Sequence, residues 1–466
     1  MSAVYPAFLR RVLFPALDVL NGTRIAELVG SLESSQWLPA DKLRALQERK
    51  LRATLSWTRE HVPFYRELWD KAPDACRARS AHPELDGLPV VTKEDLRSRL
   101  ADFPVPAFRG RALTIKTSGS TGEPMTYYRS TEQDSWFWAL RFRMWGWGGY
   151  VIGEPYLTLN LNPRTALRKR IQDVLFRCSY HGFNAHRHDV DAALRDLRTR
   201  RVKHLVGYAS SLYLLSRAML DRGIENPGVT SVLSTGDTLL PHYRRTVEQV
   251  FGVRVVDYYG AGGEGFHLAS QCEQRGEYHL HPENAVIEVL RGRVPARPGE
   301  MGEIVVTQLD NKAMPLVRYA TRDVATVSAA TGCPCGRSFP LWTSVEGRLP
   351  DIVWAPDGSA LVVHFFTILF EHLKGIRQFQ IVQRERSTIE ARIVVGDGYD
   401  RQETEAAIRR AVAGATHGSL GVGFDYVDDI GVSGSGKRRF VVSEMAPEGL
   451  GATPAAPDGR GAGSVG

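Results

Sequence analysis

Between Val202 and Tyr258 short apolar runs alternate with amphipathic helical stretches, and this alternation leaves the chain few folds to choose from. His204 to Tyr208, Val229 to Leu233 and Val253 to Tyr258 are short and apolar, whereas Ser210 to Arg222 and Pro241 to Phe251 carry helical periodicity. Short buried strands separated by helices predict a parallel sheet covered by helices. In such sheets, ligands sit in crevices beyond the carboxyl ends of the strands. Two turns fall at such ends, Ser234-Thr235-Gly236-Asp237-Thr238 and Tyr259-Gly260-Ala261-Gly262-Gly263-Glu264. Both are candidate site loops, although an ordinary tight turn uses Gly and Asp equally well.

The rest of the chain has other textures. Pro39 to Trp69 reads as a long helix broken at Pro63, and Thr92 is placed to cap a helix that follows it. Trp136, Phe137, Trp138, Phe142, Trp145 and Trp147 crowd one segment, a density that points to a core seam before a pocket wall. From Glu277 to Val327 the period changes to two, which predicts a second, antiparallel or barrel-like β subdomain. After Arg348, strands at Phe379 to Val382, Ile389 to Val395 and Gly423 to Val427 and a helix at Gln402 to Ala413 predict a small α+β unit. The expected fold is therefore α/β. A large domain of helix-covered sheets occupies residues 1–347, a small hinged α+β domain residues 348–446, and a Gly-, Ala- and Pro-rich disordered tail residues 447–466.

One further stretch carries chemistry. Thr117-Ser118-Gly119-Ser120-Thr121-Gly122-Glu123-Pro124-Met125 alternates glycine with hydroxyl residues, so its backbone N–H groups are free to ring an anion such as phosphate. The same residues also make flexible turns. Apolar residues before the loop and aromatic residues from Thr126 to Trp138 after it predict strand, loop and strand. A P-loop is excluded, because GxxxxGK[ST] and its following helix are missing.

Composition narrows the functional classes. Of 466 residues 43% are hydrophobic and 24% charged, as in ordinary globular proteins. Lys+Arg exceed Asp+Glu by 59 to 52, but the basic residues form no aromatic-studded stripe, which argues against nucleic acid as a partner. No apolar run has membrane-spanning length and no signal peptide is evident, so a cytoplasmic protein is expected. Tyr5 to Leu20, with Arg10 and Arg11 among its apolar residues, suits a helix docked on its own domain or one lying on a membrane surface. The five cysteines suggest metal ligands or free thiols in preference to disulfides. Cys333-Pro334-Cys335-Gly336 presents two sulfurs from one turn, and Cys272 with His279 or His281 would complete a tetrahedral Cys₃His zinc site. On a strand His279 and His281 share a face, so spacing does not choose between them.

Seven motifs then occur in order: TSGSTGEP at Thr117, GYASSLYLL at Gly207, STGDTLLP at Ser234, YYGAGGEG at Tyr258, RYATRD at Arg318, EGRLPDIV at Glu346 and SGSGKRRF at Ser433. Together they resemble the adenylate-forming superfamily of acyl-CoA synthetases and adenylation domains, in its phenylacetate–CoA ligase-like and CapK-like branch. The resemblance spans about Pro39 to Glu444. It implies an AMP-forming ligase that joins a small-molecule carboxylate to ATP as an acyl-adenylate, releases pyrophosphate, and passes the acyl group to CoA. An amine or hydroxyl acceptor, and a nucleotide-binding scaffold without catalysis, are the alternatives. The aromatic segment and the Tyr208 to Ser211 turn would suit an aryl or other apolar acid.

Residue roles follow from the same resemblance. Thr117, Ser118, Gly119, Ser120, Thr121 and Gly122 would hold the triphosphate. Gly236 and Asp237 would border the adenine, with Tyr258, Tyr259 and Gly260 beside it and the Tyr259 ring stacked on it. Glu264 would coordinate Mg²⁺, Asp323 would accept the ribose hydroxyls, and Arg348 would reach the ribose or phosphates. Lys437 would bridge the substrate carboxylate and the α-phosphate. The resemblance also favours His279 over His281 beside Cys272, Cys333 and Cys335. Three positions depart from the family pattern. Glu264 lies one residue further from its YG than usual, Glu123 stands where many relatives have lysine, and Pro350 occupies the hinge position, where proline fixes φ.

Overall fold

The computed structural model describes residues 4–71, 77–116, 125–160, 173–182, 187–260, 265–274, 276–431 and 439–445. Three short helices open it, α1 (Val4–Phe8), α2 (Phe14–Asn21) and α3 (Ile25–Ser35). Leu9 and Phe14 in this segment are buried, while Val4, Val12, Val19 and Leu20 are exposed. The predicted long helix is present as α4 (Ala40–His61) and α5 (Pro63–Lys71). Val62 between them is extended, the conformation that a following proline imposes. Thr92 caps α6 (Lys93–Ser98) in a reciprocal capping box with Asp95.

Strands β1 (Leu113–Lys116) and β2 (Thr126–Arg129) pair antiparallel on either side of residues 117–124, which lie outside the described residues. The strand after the loop is short. Thr131–Trp147 forms a helix, α7, capped by Ser130, where the aromatic run had predicted more strand. Its buried residues include Trp136, Phe137, Leu140, Phe142, Trp145 and Trp147, which point to all sides. A helix apolar all round is a core helix, and it lacks the one-sided period that announces a helix in sequence.

The predicted parallel sheet is formed by β3 (Tyr156–Asn160), β4 (Cys178–Gly182), β5 (His204–Tyr208), β6 (Ser231–Thr235) and β7 (Val255–Tyr259). Its helices are α8 (Arg187–Thr199), α9 (Ala209–Asp221) and α10 (Pro241–Phe251), and Leu157, Leu194, Leu205, Leu215, Val232 and Val247 form the core between the layers. The antiparallel strands are β8 (Ala269–Gln271), β9 (Tyr278–Leu280), β10 (Ala285–Arg291), β11 (Val294–Pro295), β12 (Met301–Gln308), β13 (Tyr319–Val327) and β14 (Leu341–Arg348). They do not close into a barrel, which corrects the barrel-like expectation. Instead β8 pairs with β7 and β9 with β14, giving one twelve-stranded sheet in the order β11-β10-β12-β13-β14-β9-β8-β7-β6-β5-β3-β4. One end of that sheet is the two-residue β11, whose Pro295 has no N–H to offer a further strand.

Arg318, fully buried before β13, ties the antiparallel half to the preceding loop. It pairs with Glu288 through Nε and Nη2 at 3.1 and 3.0 Å and donates to the carbonyls of Ala78, Arg79, Leu85 and Leu88.

After β14 a 3₁₀ turn at Leu349–Asp351 leads to a hairpin, β15 (Val353–Trp354) and β16 (Ala360–Leu361), and then to α11 (Val363–Glu371). The predicted α+β unit follows: β17 (Ile376–Glu385), β18 (Thr388–Val395), α12 (Arg401–Ala415), β19 (Gly421–Tyr426) and β20 (Val441–Ser443), with sheet order β19-β18-β17-β20. Phe366, Phe379, Ile381, Ile393, Ile408 and Val412 belong to its core, which Leu240 and Tyr243 at α10 also join. The stretch expected to be a disordered tail lies outside the described residues.

Candidate active site

The carboxyl ends of β5, β6 and β7 lie side by side, since Tyr208 is in register with Thr235 and Ser234 with Asp257. Gly236, one residue past β6, adopts φ +83, and a Cβ there would come within 2.4 Å of the Tyr208 ring, so only glycine lets this ring lie on the turn. Asp237 accepts a long 3.4 Å hydrogen bond from the Ser210 amide at the start of α9. At the end of β7, Tyr258 and Tyr259 face opposite ways. Tyr258 is buried against His267, and Tyr259 packs on the buried Trp342 of β14.

Tyr259 also reaches the antiparallel half of the sheet. Its hydroxyl donates to Asp323 Oδ2 at 2.7 Å, and Arg348 Nε lies 3.5 Å from Asp323 Oδ1. Asp323 and Arg348 are cross-strand partners on β13 and β14. Yet β13 and β7 are four strands apart in the sheet order, a distance of about 19 Å if the sheet were flat. The sheet therefore curls so that its two halves meet at this contact. Thr321 steadies the bend by donating to the Ile304 carbonyl and accepting from the Asp323 amide.

Of the residues predicted to form the site, Tyr259, Asp323 and Arg348 are thus in direct contact, with Gly236, Asp237 and Gly260 at the neighbouring strand ends. Tyr258 is turned into the core. Thr117 to Gly122, Glu123, Glu264 and Lys437 lie outside the described residues. Arg439, two residues beyond Lys437, grips the 3₁₀ turn at Leu349–Asp351: its guanidinium binds Asp351 Oδ1 at 2.9 and 2.5 Å and the Pro350 carbonyl at 3.1 Å. In the sequence SGSGKRRF, Arg439 reads as part of a solvated basic loop, and its anchoring role at Asp351 has no signature there.

A second cluster gathers Cys272, His279, Cys333 and Cys335, whose ligand atoms all lie within 4.8 Å of one another. Cys272 Sγ is 3.6 Å from Cys333 Sγ, and Cys335 Sγ is 3.6 Å from His279 Nε2. A tetrahedral zinc site with Zn–S bonds of about 2.3 Å has sulfur–sulfur edges of about 3.7 Å, so this donor set fits the ion. Burial lowers the His279 pKa to about 4, which keeps the imidazole neutral as a ligand must be. His281 is occupied elsewhere, with its Nδ1 at 2.7 Å from Arg143 Nη2 in a buried group with Glu283. The alternative that spacing left open is thus resolved in geometry: His279, not His281, joins the cysteines.

Known proteins resemble this chain. Residues 353–444 match the family described as the CapK C-terminal domain. A phenylacetate-coenzyme A ligase of Thermus thermophilus is 25% identical over 415 residues, covering 82% of this chain and 87% of the relative. One from Escherichia coli is 24% identical over 378 residues, covering 76% and 82%. Over most of its length the chain is thus similar to phenylacetate–CoA ligases, at about a quarter identity. Among solved structures, a 2-hydroxyisobutyryl-CoA ligase in the postadenylation state superposes with a TM-score of 0.68 at 18% identity, over 88% of this chain and 91% of that one. At that identity the match speaks for the superfamily fold.

Proposed function

We propose that this protein is an AMP-forming ligase that activates a small carboxylic acid with ATP and transfers the acyl group to CoA. A carboxylate oxygen of the acid attacks the α-phosphorus of ATP, the bond to pyrophosphate breaks, and an acyl-adenylate results. The thiol of CoA then attacks the acyl carbon, and AMP leaves with the electron pair. The contact of Tyr259 with Asp323 and Arg348, at the strand ends beside Gly236, carries this reading. It sets an aromatic face, an ionised acceptor and a guanidinium around one crevice, the groups that an adenine, a ribose and a phosphate require.

Within that reading Asp323 accepts the ribose hydroxyls through lone pairs that the Tyr259 hydroxyl leaves available. The hydrogen bond between them also fixes the tyrosine ring for stacking. Arg348, half exposed on β14, serves the ribose or phosphate side. Thr117 to Gly122 supply neutral donors to the triphosphate, Glu264 holds Mg²⁺, which offsets phosphate charge when bound, and Lys437 neutralises the charge that builds between carboxylate and α-phosphate. The chain divides near Arg348, where the 3₁₀ turn separates the large sheet from the α+β unit.

Acid-dependent exchange of labelled pyrophosphate into ATP tests the first step, and a CoA-dependent thioester assay the second. Binding of ATP without exchange across a broad panel of acids would refute the activation step. Asp323→Ala is expected to raise the KM for ATP by about 10- to 100-fold, the range for losing a hydrogen bond to a charged group. An unchanged KM for ATP would remove Asp323 from the nucleotide site.

We also propose that Cys272, His279, Cys333 and Cys335 hold one Zn²⁺ as a structural staple, since four protein ligands leave no position for substrate. Metal analysis is expected to find one zinc per chain, and Cys335→Ser is expected to lower both zinc content and melting temperature. Purified protein without stoichiometric zinc would end this assignment.

A further inference from the structure

Beside the candidate site lies a buried polar cluster that the reaction described above does not use. Arg129 ends β2, the strand that follows the glycine and hydroxyl loop, and Gln133 and Arg141 project from α7. His267 follows residues 261–264 of the YYGAGGEG stretch. The Phe137 ring is the centre of the group: His267 stacks on it at 4.2 Å, and the guanidinium carbons of Arg129 and Arg141 lie 4.5 and 4.7 Å from its centroid. A Cβ on Gly260 would sit 3.1 Å from His267 Nδ1, and one on Gly265 would sit 3.3 Å from Arg129 Cδ, so the cluster abuts the turn after β7.

Six buried polar atoms here have no hydrogen-bond partner among the described residues: Arg129 Nε and Nη1, Gln133 Oε1, Arg141 Nε, and both ring nitrogens of His267. Arg129 is 9% exposed and His267 3%. Such a concentration is unusual, because buried donors are normally satisfied. Charge is unbalanced as well. Asp134, 3.2 Å from Arg129, is the one carboxylate that pairs with these two arginines among the described residues, and burial pushes its pKa up. Two guanidiniums thus share one carboxylate, and buried charge that is only partly compensated is unfavourable.

We propose that Arg129, with Arg141 and His267 beside it, receives a second anionic group on the substrate acid, so that the preferred substrate is a dianionic acid such as a dicarboxylate. This rests on the adenylation reading and names its substrate class. One carboxylate would meet ATP at the strand ends while the other lies against Arg129, whose Nε and Nη1 each offer a donor from a different side of the guanidinium. Aromatic density alone suggested an apolar acid, but the rings of α7 serve chiefly as core and as the surface on which these guanidiniums rest.

The experiment is pyrophosphate exchange with paired acids of equal length, one ending in methyl and one in carboxylate, on aliphatic and aryl spacers. Wild-type protein is expected to favour the dicarboxylate of the best pair by at least about 10-fold in kcat/KM. Arg129→Met is expected to raise the KM for that dicarboxylate about 10- to 100-fold while leaving the KM for ATP and for the methyl-ended partner unchanged. Arg129→Lys, which keeps the charge but not the guanidinium donors, is expected to recover part of the loss and guards against a folding defect. Preference for methyl-ended acids, or a variant that weakens both partners alike or changes the KM for ATP instead, would overturn the inference and leave adenylation standing. Exchange with neither series would instead defeat the adenylation reading itself.

Discussion

Lys437→Ala is expected to lower acid-dependent pyrophosphate exchange by roughly two to three orders of magnitude, the usual loss when a charge placed at a developing anion is removed. In the proposed adenylation step the lysine would meet a transition state in which carboxylate and phosphate oxygens, all negative, approach one another. Removing it should therefore reduce kcat far more than it raises the KM for ATP. Its neighbour Arg439 offers a graded control. Because Arg439 holds Asp351 and the Pro350 carbonyl, Arg439→Ala frees the chain end of the Lys437 loop without deleting the reacting charge, and a smaller loss of about 10-fold is expected. Exchange by Lys437→Ala at the wild-type rate would show that the lysine has no part in the chemistry.

Arg318→Met is expected to be among the most damaging single changes to the fold. The substitution leaves Glu288 as a buried carboxylate without its guanidinium partner and takes a side-chain donor from four carbonyls, of which those of Ala78, Leu85 and Leu88 keep a backbone N–H. Breaking a buried pair from one side costs about 3–5 kcal/mol, which for a protein of this size is a fall in melting temperature of about 3–5 °C. Changing both partners at once, Arg318→Met with Glu288→Leu, should recover part of the loss, since the stranded charge is then gone. Thermal unfolding followed by circular dichroism checks both. A single variant as stable as the wild type would mean that the loop at Ala78 to Leu88 is held by other contacts.

The elements that sequence disclosed were those with a regular pattern. α9 and α10 each bury one face, β5, β6 and β7 are short apolar runs buried on both faces, and Pro63 and Thr92 mark helix boundaries through local chemistry. α7 escaped because large rings occupy all of its sides. β4 escaped because Cys178 to Gly182, CSYHG, has neither alternation nor a uniformly apolar run. The barrel-like expectation came from period two alone, which reports that one face is buried and says nothing of whether the strands close on themselves. At the site, Tyr259, Asp323 and Arg348 were recognisable from their motifs. Their contact was not, because it depends on strands β7 and β13 that are distant both in sequence and along the sheet. Arg129 and His267 were silent for a different reason: a lone arginine after a strand has no signature until burial leaves its donors without partners.

The curl of the large sheet makes it a lever. Four strand spacings, about 19 Å, separate β7 from β13 along the sheet, and the path between them runs through β8 and β9, the short strands beside Cys272 and His279. A change of about 5° in the angle at those strands, carried over that arm, moves the far end by about 1.7 Å. That is enough to break the 2.7 Å hydrogen bond from Tyr259 to Asp323. If the proposed zinc is held there, the Cys/His cluster at β8 and β9 would act as the pivot for the contact between Tyr259 and Asp323. Mild chelation should accordingly weaken ATP binding before it unfolds the protein, with the loss of affinity preceding the loss of circular dichroism signal.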